Sequence, residues 1–157
     1  ELDDEFAQEC QAIAKLLGLS FKQIFLLQIM YETFAYCSTA VVRDRNGTLH
    51  FGRNLDYYFG DVIVNASATL EFYRGQELVY VSNQILGFIG PHTFMKPGKF
   101  SLTLNQRDTY IKPTAFQSLI GRLTNTYYLF WRRHGTTINE LKKIAETARN
   151  YTHALDQ

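Results

Sequence analysis

The hydrophobic period of this chain changes at Cys37, and that change limits the folds open to it. Before Cys37, apolar residues recur every three or four positions; after it they alternate or run in short β-branched stretches. Leu2, Phe6, Cys10, Ile13 and Leu17 mark the buried stripe of a helix over residues 3–17, closed by Gly18, whose missing β-carbon suits a left-handed cap. A second helix starts at once, because Ser20 and Gln23 have the spacing of a capping box. Residues 21–31 are apolar around most of the circumference, so that helix must be buried or face a lipid or a partner.

From Cys37 the pattern predicts strands over 38–43, 48–53, 62–73, 77–83 and 99–105. Asp44-Arg45-Asn46-Gly47 forms the first hairpin turn and Arg74-Gly75-Gln76 a second. After Pro113 helices return over 114–123, 126–133 and 137–150. Helices, then antiparallel sheet, then helices indicate an α+β layered domain. No repeat or linker breaks the 157 residues, a length that supports one domain with a substantial core.

The first hairpin carries the chemistry. Its turn folds Arg53 and Asp56 back toward Cys37, setting a thiol, a guanidinium and a carboxylate on adjoining strands. A thiol is a nucleophile as its thiolate, which nearby positive charge favours. The same residues also fit a buried cysteine at a strand start, beside an Arg53–Asp56 ion pair that only fixes the hairpin. Cys10, on its helical stripe, is expected to be a packed core thiol.

Other signals narrow the partners. A net charge of +1 gives no reason to expect nucleic acid. No apolar run reaches the ~18 residues of a membrane span, and the acidic start Glu1-Leu2-Asp3-Asp4-Glu5 is unlike a signal peptide. His50, His92, His134 and His153 lack the spacing and companions of a metal site, so ordinary surface or core roles are expected, and no cofactor is called for. Asn46, Asn65 and Asn150 each begin an Asn-x-Ser/Thr sequon, a weak pointer to a secretory or lysosomal route. Tyr127, Tyr128, Phe130 and Trp131, followed by Arg132-Arg133, fit a membrane interface or simple core packing.

Two ordered motifs give the chain a family resemblance. Residues 37–60, with Phe51-Gly52-Arg53-Asn54-Leu55-Asp56-Tyr57, resemble the β-subunit start of the acid ceramidase and N-acylethanolamine acid amidase family. Phe100-Ser101-Leu102-Thr103-Leu104-Asn105-Gln106-Arg107 is similar to a later motif of that family, and Gly87-Phe88-Ile89-Gly90 lies between the two. The similarity runs from about residue 17 to residue 134. It implies the N-terminal nucleophile hydrolase fold, an αββα arrangement of two facing antiparallel sheets enclosed by helices. Residues 1–36 then resemble the end of an α-subunit, and residues 37–157 part of a β-subunit.

By that resemblance the chain is cut between Tyr36 and Cys37. The freed α-amino group, with a pKa of about 8 against about 8.5 for a thiol, lets one residue be both base and nucleophile. Cys37 would attack the amide of a fatty-acyl amide lipid, an N-acylethanolamine or a ceramide. Asp56 would accept a hydrogen bond from the new amine, and Arg53 would steady thiolate and amine.

Gln106 departs from the family, which has a glutamate there. At an oxyanion site a glutamine amide donates at any pH, whereas a glutamate donates only when protonated. The change either frees the activity from acid pH or marks a catalytically silent binding or assembly subunit. The family's chain also continues beyond the equivalent of Gln157, where a later strand supplies an asparagine and another arginine. The segment is therefore expected to be a fragment, or a truncated protein that lacks a C-terminal segment or second chain.

Overall fold

The computed structural model describes residues 4–34, 36–56, 60–105, 114–130 and 136–157. Two helices, α1 (Asp4–Leu17) and α2 (Phe21–Phe34), precede the hairpin β1 (Tyr36–Arg43) and β2 (Leu49–Asp56). A short helix α3 (Gly60–Asn65) leads into β3 (Ser67–Arg74), β4 (Glu77–Ile85), β5 (Thr93–Lys96) and β6 (Phe100–Thr103). The chain ends in α4 (Ala115–Phe130), α5 (Thr137–Thr147) and α6 (Tyr151–Leu155). The strands form two antiparallel sheets, one of β1-β2 and one in the order β3-β4-β5-β6.

Local signals account for the helical start. Gly18 (φ +66°) ends α1 in a Schellman arrangement, with Leu19 N donating to Ala14 O at 2.9 Å and Gly18 N to Lys15 O at 3.4 Å. The capping box forms as expected: Ser20 N donates to Gln23 Oε1 at 2.9 Å and Gln23 N to Ser20 Oγ at 3.3 Å. Phe6, Cys10 and Ala14 of α1 pack with Ile24 of α2 and Ile89 into one core cluster, so Cys10 is the core thiol its stripe predicts. Leu17, assigned to that stripe, is instead exposed at the helix end. Leu2 lies outside the described residues.

On the larger sheet a row of aromatic rings crosses all four strands. Phe72 stacks on Tyr80 at 4.3 Å between centroids, and Phe94 meets Tyr80 and Phe100 edge-on at 5.8 Å each. Leu141 and Ala145 of α5 close over this row. Lys96 donates to Ala148 O at 2.6 Å, a cation at the carbonyl end of α5.

Four predicted elements are corrected. The single strand over 62–73 is α3 followed by β3. Val62-Ile63-Val64 reads as β-branched strand, yet only Ile63 of the three touches a core cluster, while Val62 and Val64 are exposed. Strand β5 has no counterpart among the predicted strands, because the loop before it hides a four-residue element. The helices over 114–123 and 126–133 are one helix as far as Phe130, and residues 131–135 lie outside the described set. The helix over 137–150 stops at Thr147: Ala148 adopts extended backbone (ψ 125°), and Asn150 caps α6 by accepting from His153 N at 2.9 Å.

The Gly87-Phe88-Ile89-Gly90 loop locks the helical start onto the sheets. Gly90 (φ +95°) lies so close to α5 that a β-carbon would sit 2.9 Å from both Ile138 Cγ2 and Ile138 O. Fully buried Gln28 of α2 donates to Gly87 O at 2.8 Å and to Ile24 O at 3.1 Å, and accepts from Ile89 N at 2.7 Å. Lys142 adds an ionic tie from α5 to α1, 3.4 Å from Glu9 and 3.8 Å from Glu5, while also pairing with Glu146 at 3.0 Å.

Gln28→Leu keeps the volume but leaves the Gly87 carbonyl and Ile89 amide without this partner. Urea unfolding of the variant should show a loss of about 2–4 kcal/mol at unchanged m-value; a loss below ~1 kcal/mol would mean that the loop re-pairs on its own.

Candidate active site

The β1–β2 register sets Cys37 opposite Leu55, Thr39 opposite Arg53 and Tyr36 opposite Asp56. Because strand residues alternate faces, Cys37, Thr39, Arg53 and Leu55 share one side of the hairpin, and Asn54 and Asp56 lie on the other. Cys37 and Leu55 pack into the cluster of Ile85, Phe88 and Ile138, together with Leu27, Met30 and Leu104. This burial fixes which face of a two-stranded ribbon points inward.

Arg53 and Cys37 are in direct contact. Arg53 Nη2 donates to Cys37 Sγ at 2.9 Å and to Leu104 O at 2.6 Å, and Nη1 donates to Thr93 Oγ1 at 3.1 Å. The guanidinium therefore joins the small sheet to β5 and to the end of β6. Thr39 makes a second tie: its hydroxyl accepts from Asn105 Nδ2 at 2.8 Å and donates to Oδ1 at 3.0 Å. Both Cys37 and Arg53 are partly buried, which strengthens the electrostatics between them.

Asp56 occupies a different position. Its exposed carboxylate accepts from Asn54 Nδ2 at 2.7 Å on the face away from the thiol. In register, however, it stands opposite Tyr36, so the 36–37 peptide runs beside residues 55–56. Tyr36 opens β1, with only its backbone described, and Gln106 lies outside the described residues, as do Arg107 and the aromatic-basic end at Trp131, Arg132 and Arg133. The three sequon asparagines, Asn46, Asn65 and Asn150, are exposed, with Asn46 in the β1–β2 turn.

The two thiols differ in environment. Cys10 is fully buried, and burial, reinforced by the Glu9 charge, pushes its pKa up to about 11. It is chemically quiet at neutral pH. Among the described residues no group of three or more His, Cys, Asp or Glu is placed to hold a metal ion.

The sequence draws no attention to Thr93, because β5 leaves no periodic signal; Thr103 and Leu104 lie within the Phe100–Arg107 motif, but nothing in that motif relates them to Arg53. His92, expected to have an ordinary role, is buried and edge-on to Phe88 at 4.9 Å, and burial together with the Arg53 charge pushes its pKa down to about 3.

That depression links stability to pH. Between pH 6.5 and about 3 the unfolded chain binds a proton at His92 that the folded chain does not, so this contribution is full above 6.5 and is lost as pH falls. The slope reaches up to ~1.4 kcal/mol per pH unit. His92→Leu should flatten the fall in unfolding free energy between pH 6.5 and 4.5 by about 2–3 kcal/mol relative to the parent, as read by urea unfolding at the two pH values. Parallel pH dependences would show that His92 does not titrate in this way.

Comparison with known proteins bears on the fold and the family. No protein-family model matches the chain. The rat N-acylethanolamine-hydrolyzing acid amidase is 32% identical over 107 residues, covering 68% of this chain and 30% of that protein. Human acid ceramidase is 33% identical over 115 residues, covering 65% and 29% respectively. The chain thus spans about 30% of the length of these curated relatives. The solved structure of a Caenorhabditis elegans N-acylethanolamine-hydrolyzing acid amidase ortholog superposes with a TM-score of 0.60 at 24% identity, covering 75% of this chain and 47% of that one. Its likeness supports the N-terminal nucleophile hydrolase fold, with antiparallel sheets flanked by helices. In sequence and in fold, the chain resembles the acid ceramidase and N-acylethanolamine acid amidase family.

Proposed function

We propose that this chain is the catalytic-cysteine portion of an amidase acting on fatty-acyl amide lipids. The contact between Arg53 Nη2 and Cys37 Sγ carries the reading, because it sets a fixed cation against the thiol. The names of the relatives supply the substrate class, N-acylethanolamines or ceramides.

In the uncut chain the Cys37 nitrogen is a peptide amide and cannot act as a base. Cleavage between Tyr36 and Cys37 would convert it to an amine, and Asp56, which stands opposite Tyr36 in the register, is assigned as the acceptor of its hydrogen bond. The Cys37 thiolate then attacks the acyl carbonyl. The amine leaves with a proton from the Cys37 α-ammonium, and water resolves the thioester to free fatty acid. Gln106 is assigned to the oxyanion, where its amide N–H groups donate without regard to pH. Residues 1–36 serve as the α-subunit-like part and residues 37–157 as part of the β-subunit, completed by a further segment or second chain. The exposed sequon asparagines fit a glycosylated protein of the lysosomal or secretory route.

Amide lipids must be taken from a membrane or micelle, and α4 has a surface for that. Phe116, Leu119, Ile120, Leu123 and Tyr127 recur at helical spacing and are all exposed. No single helix among the described residues is long and apolar enough to cross a membrane; the exposed row on α4 is assigned to contact at the interface.

Intact-mass analysis at mildly acidic pH tests the enzyme reading. A split before Cys37, abolished in Cys37→Ala, is expected; a permanently single chain favours the binding or assembly subunit that Gln106 also permits. Flotation with anionic vesicles tests the surface: the parent should float, and Leu119→Asp combined with Leu123→Asp should remove most of the bound fraction. Equal flotation of parent and variant would sink the interfacial assignment.

A further inference from the structure

Arg53 meets Cys37 on one face of the β1–β2 hairpin, and a side chain of that length has many rotamers that miss the thiol. What selects the productive one lies on the opposite sheet. Thr93 and Thr103 are direct cross-strand partners in β5 and β6, with hydroxyl oxygens 3.1 Å apart. Thr93 Oγ1 receives Arg53 Nη1 at 3.1 Å, and Thr103 Oγ1 donates to His92 O at 3.3 Å.

The chemistry of the two ends orders the protons between them. A guanidinium only donates and a carbonyl oxygen only accepts. Thr93 must therefore accept from Arg53 and donate to Thr103, which donates to His92 O. Each hydroxyl proton is used once, in one direction. The strand beneath is also held: Ser82 Oγ donates to Thr93 O at 2.8 Å, and Leu104 N donates to His92 O at 2.9 Å.

We propose that Thr93 is a positioning residue for Cys37: its hydroxyl, backed by Thr103 and the His92 carbonyl, holds the Arg53 guanidinium in the rotamer that places Nη2 on Sγ. This rests on the reading of Cys37 as a nucleophile. The His92 ring adds no charge to the arrangement above about pH 4, because its proton is already lost. The electrostatic setting of the thiol thus depends on a neutral residue of the other sheet.

The test is alkylation of the full chain by iodoacetamide from pH 5 to 9, followed by intact mass, in a Cys10→Ala background that leaves one thiol. Thr93→Val should slow alkylation at pH 6 by roughly three- to ten-fold, the size expected for one lost hydrogen bond, and displace the pH–rate profile upward. Thr93→Ser should restore the parental profile to within about two-fold, because it returns the hydroxyl that a structural role for the methyl group would not need. A Thr93→Val profile that coincides with the parent, or a serine that fails to restore it, overturns the inference. If Thr93→Val does not fold, Thr103→Val takes its place: it keeps the Arg53–Thr93 contact but removes the onward acceptor, and should shift the profile the same way by a smaller factor. A parental profile there is equally fatal. Alkylation needs neither cleavage at Tyr36 nor turnover of an amide, so the role of Thr93 is tested even in a chain that never splits, and a chain that splits with an unmoved profile overturns Thr93 alone.

Discussion

A single guanidinium holds the site together. Arg53 leaves β2, crosses to β5 and β6, and donates to a hydroxyl, a backbone carbonyl and the Cys37 sulfur. A two-stranded ribbon has little stability by itself, so the β1–β2 hairpin depends on such ties and on the burial of Cys37 and Leu55. The same side chain therefore docks the ribbon and supplies the charge beside the thiol.

The helical start is joined to the rest by contacts that do not pass through the 36–37 peptide. Gln28 binds the 87–89 backbone from inside the core, Phe6 and Cys10 pack with Ile89, and Lys142 reaches Glu5 and Glu9. These contacts bury apolar area and satisfy internal hydrogen bonds, the two contributions that hold noncovalent subunits together. In the proposed maturation they are what would keep residues 1–36 in place after a cut. Gly87 and Gly90 make this possible by bringing the loop backbone close to Leu27 of α2 and Ile138 of α5.

Much of the architecture is legible in the residues. Local stereochemistry is short-ranged, so the Ser20–Gln23 box, the Gly18 cap and the Asn46-Gly47 turn all lie where their residues indicate. Differences fall where tertiary context outweighs propensity. Val62-Ile63-Val64 has the composition of a strand, but with one of its three side chains against the core it forms a helical turn instead. β5 is four residues long, too short for a period to show, and exists because β4 and β6 offer it partners on both sides.

The residues themselves determined that Cys37 and Arg53 would stand on adjoining strands of one hairpin, because the polar Asn46-Gly47 turn lies between them; which face each occupies came from the register. They also carried the family resemblance, which lies in the order of two motifs. Only the folded chain decided that Arg53 would contact the sulfur, that Asp56 would lie on the other face beside the 36–37 peptide, and that Thr93, Thr103 and His92 would back the guanidinium. Thr93 lies 40 residues from Arg53 and Leu104 lies 51, and no local rule relates them to Cys37. Long-range pairing is settled by which surfaces bury each other, a property of the packed molecule and not of any segment within it.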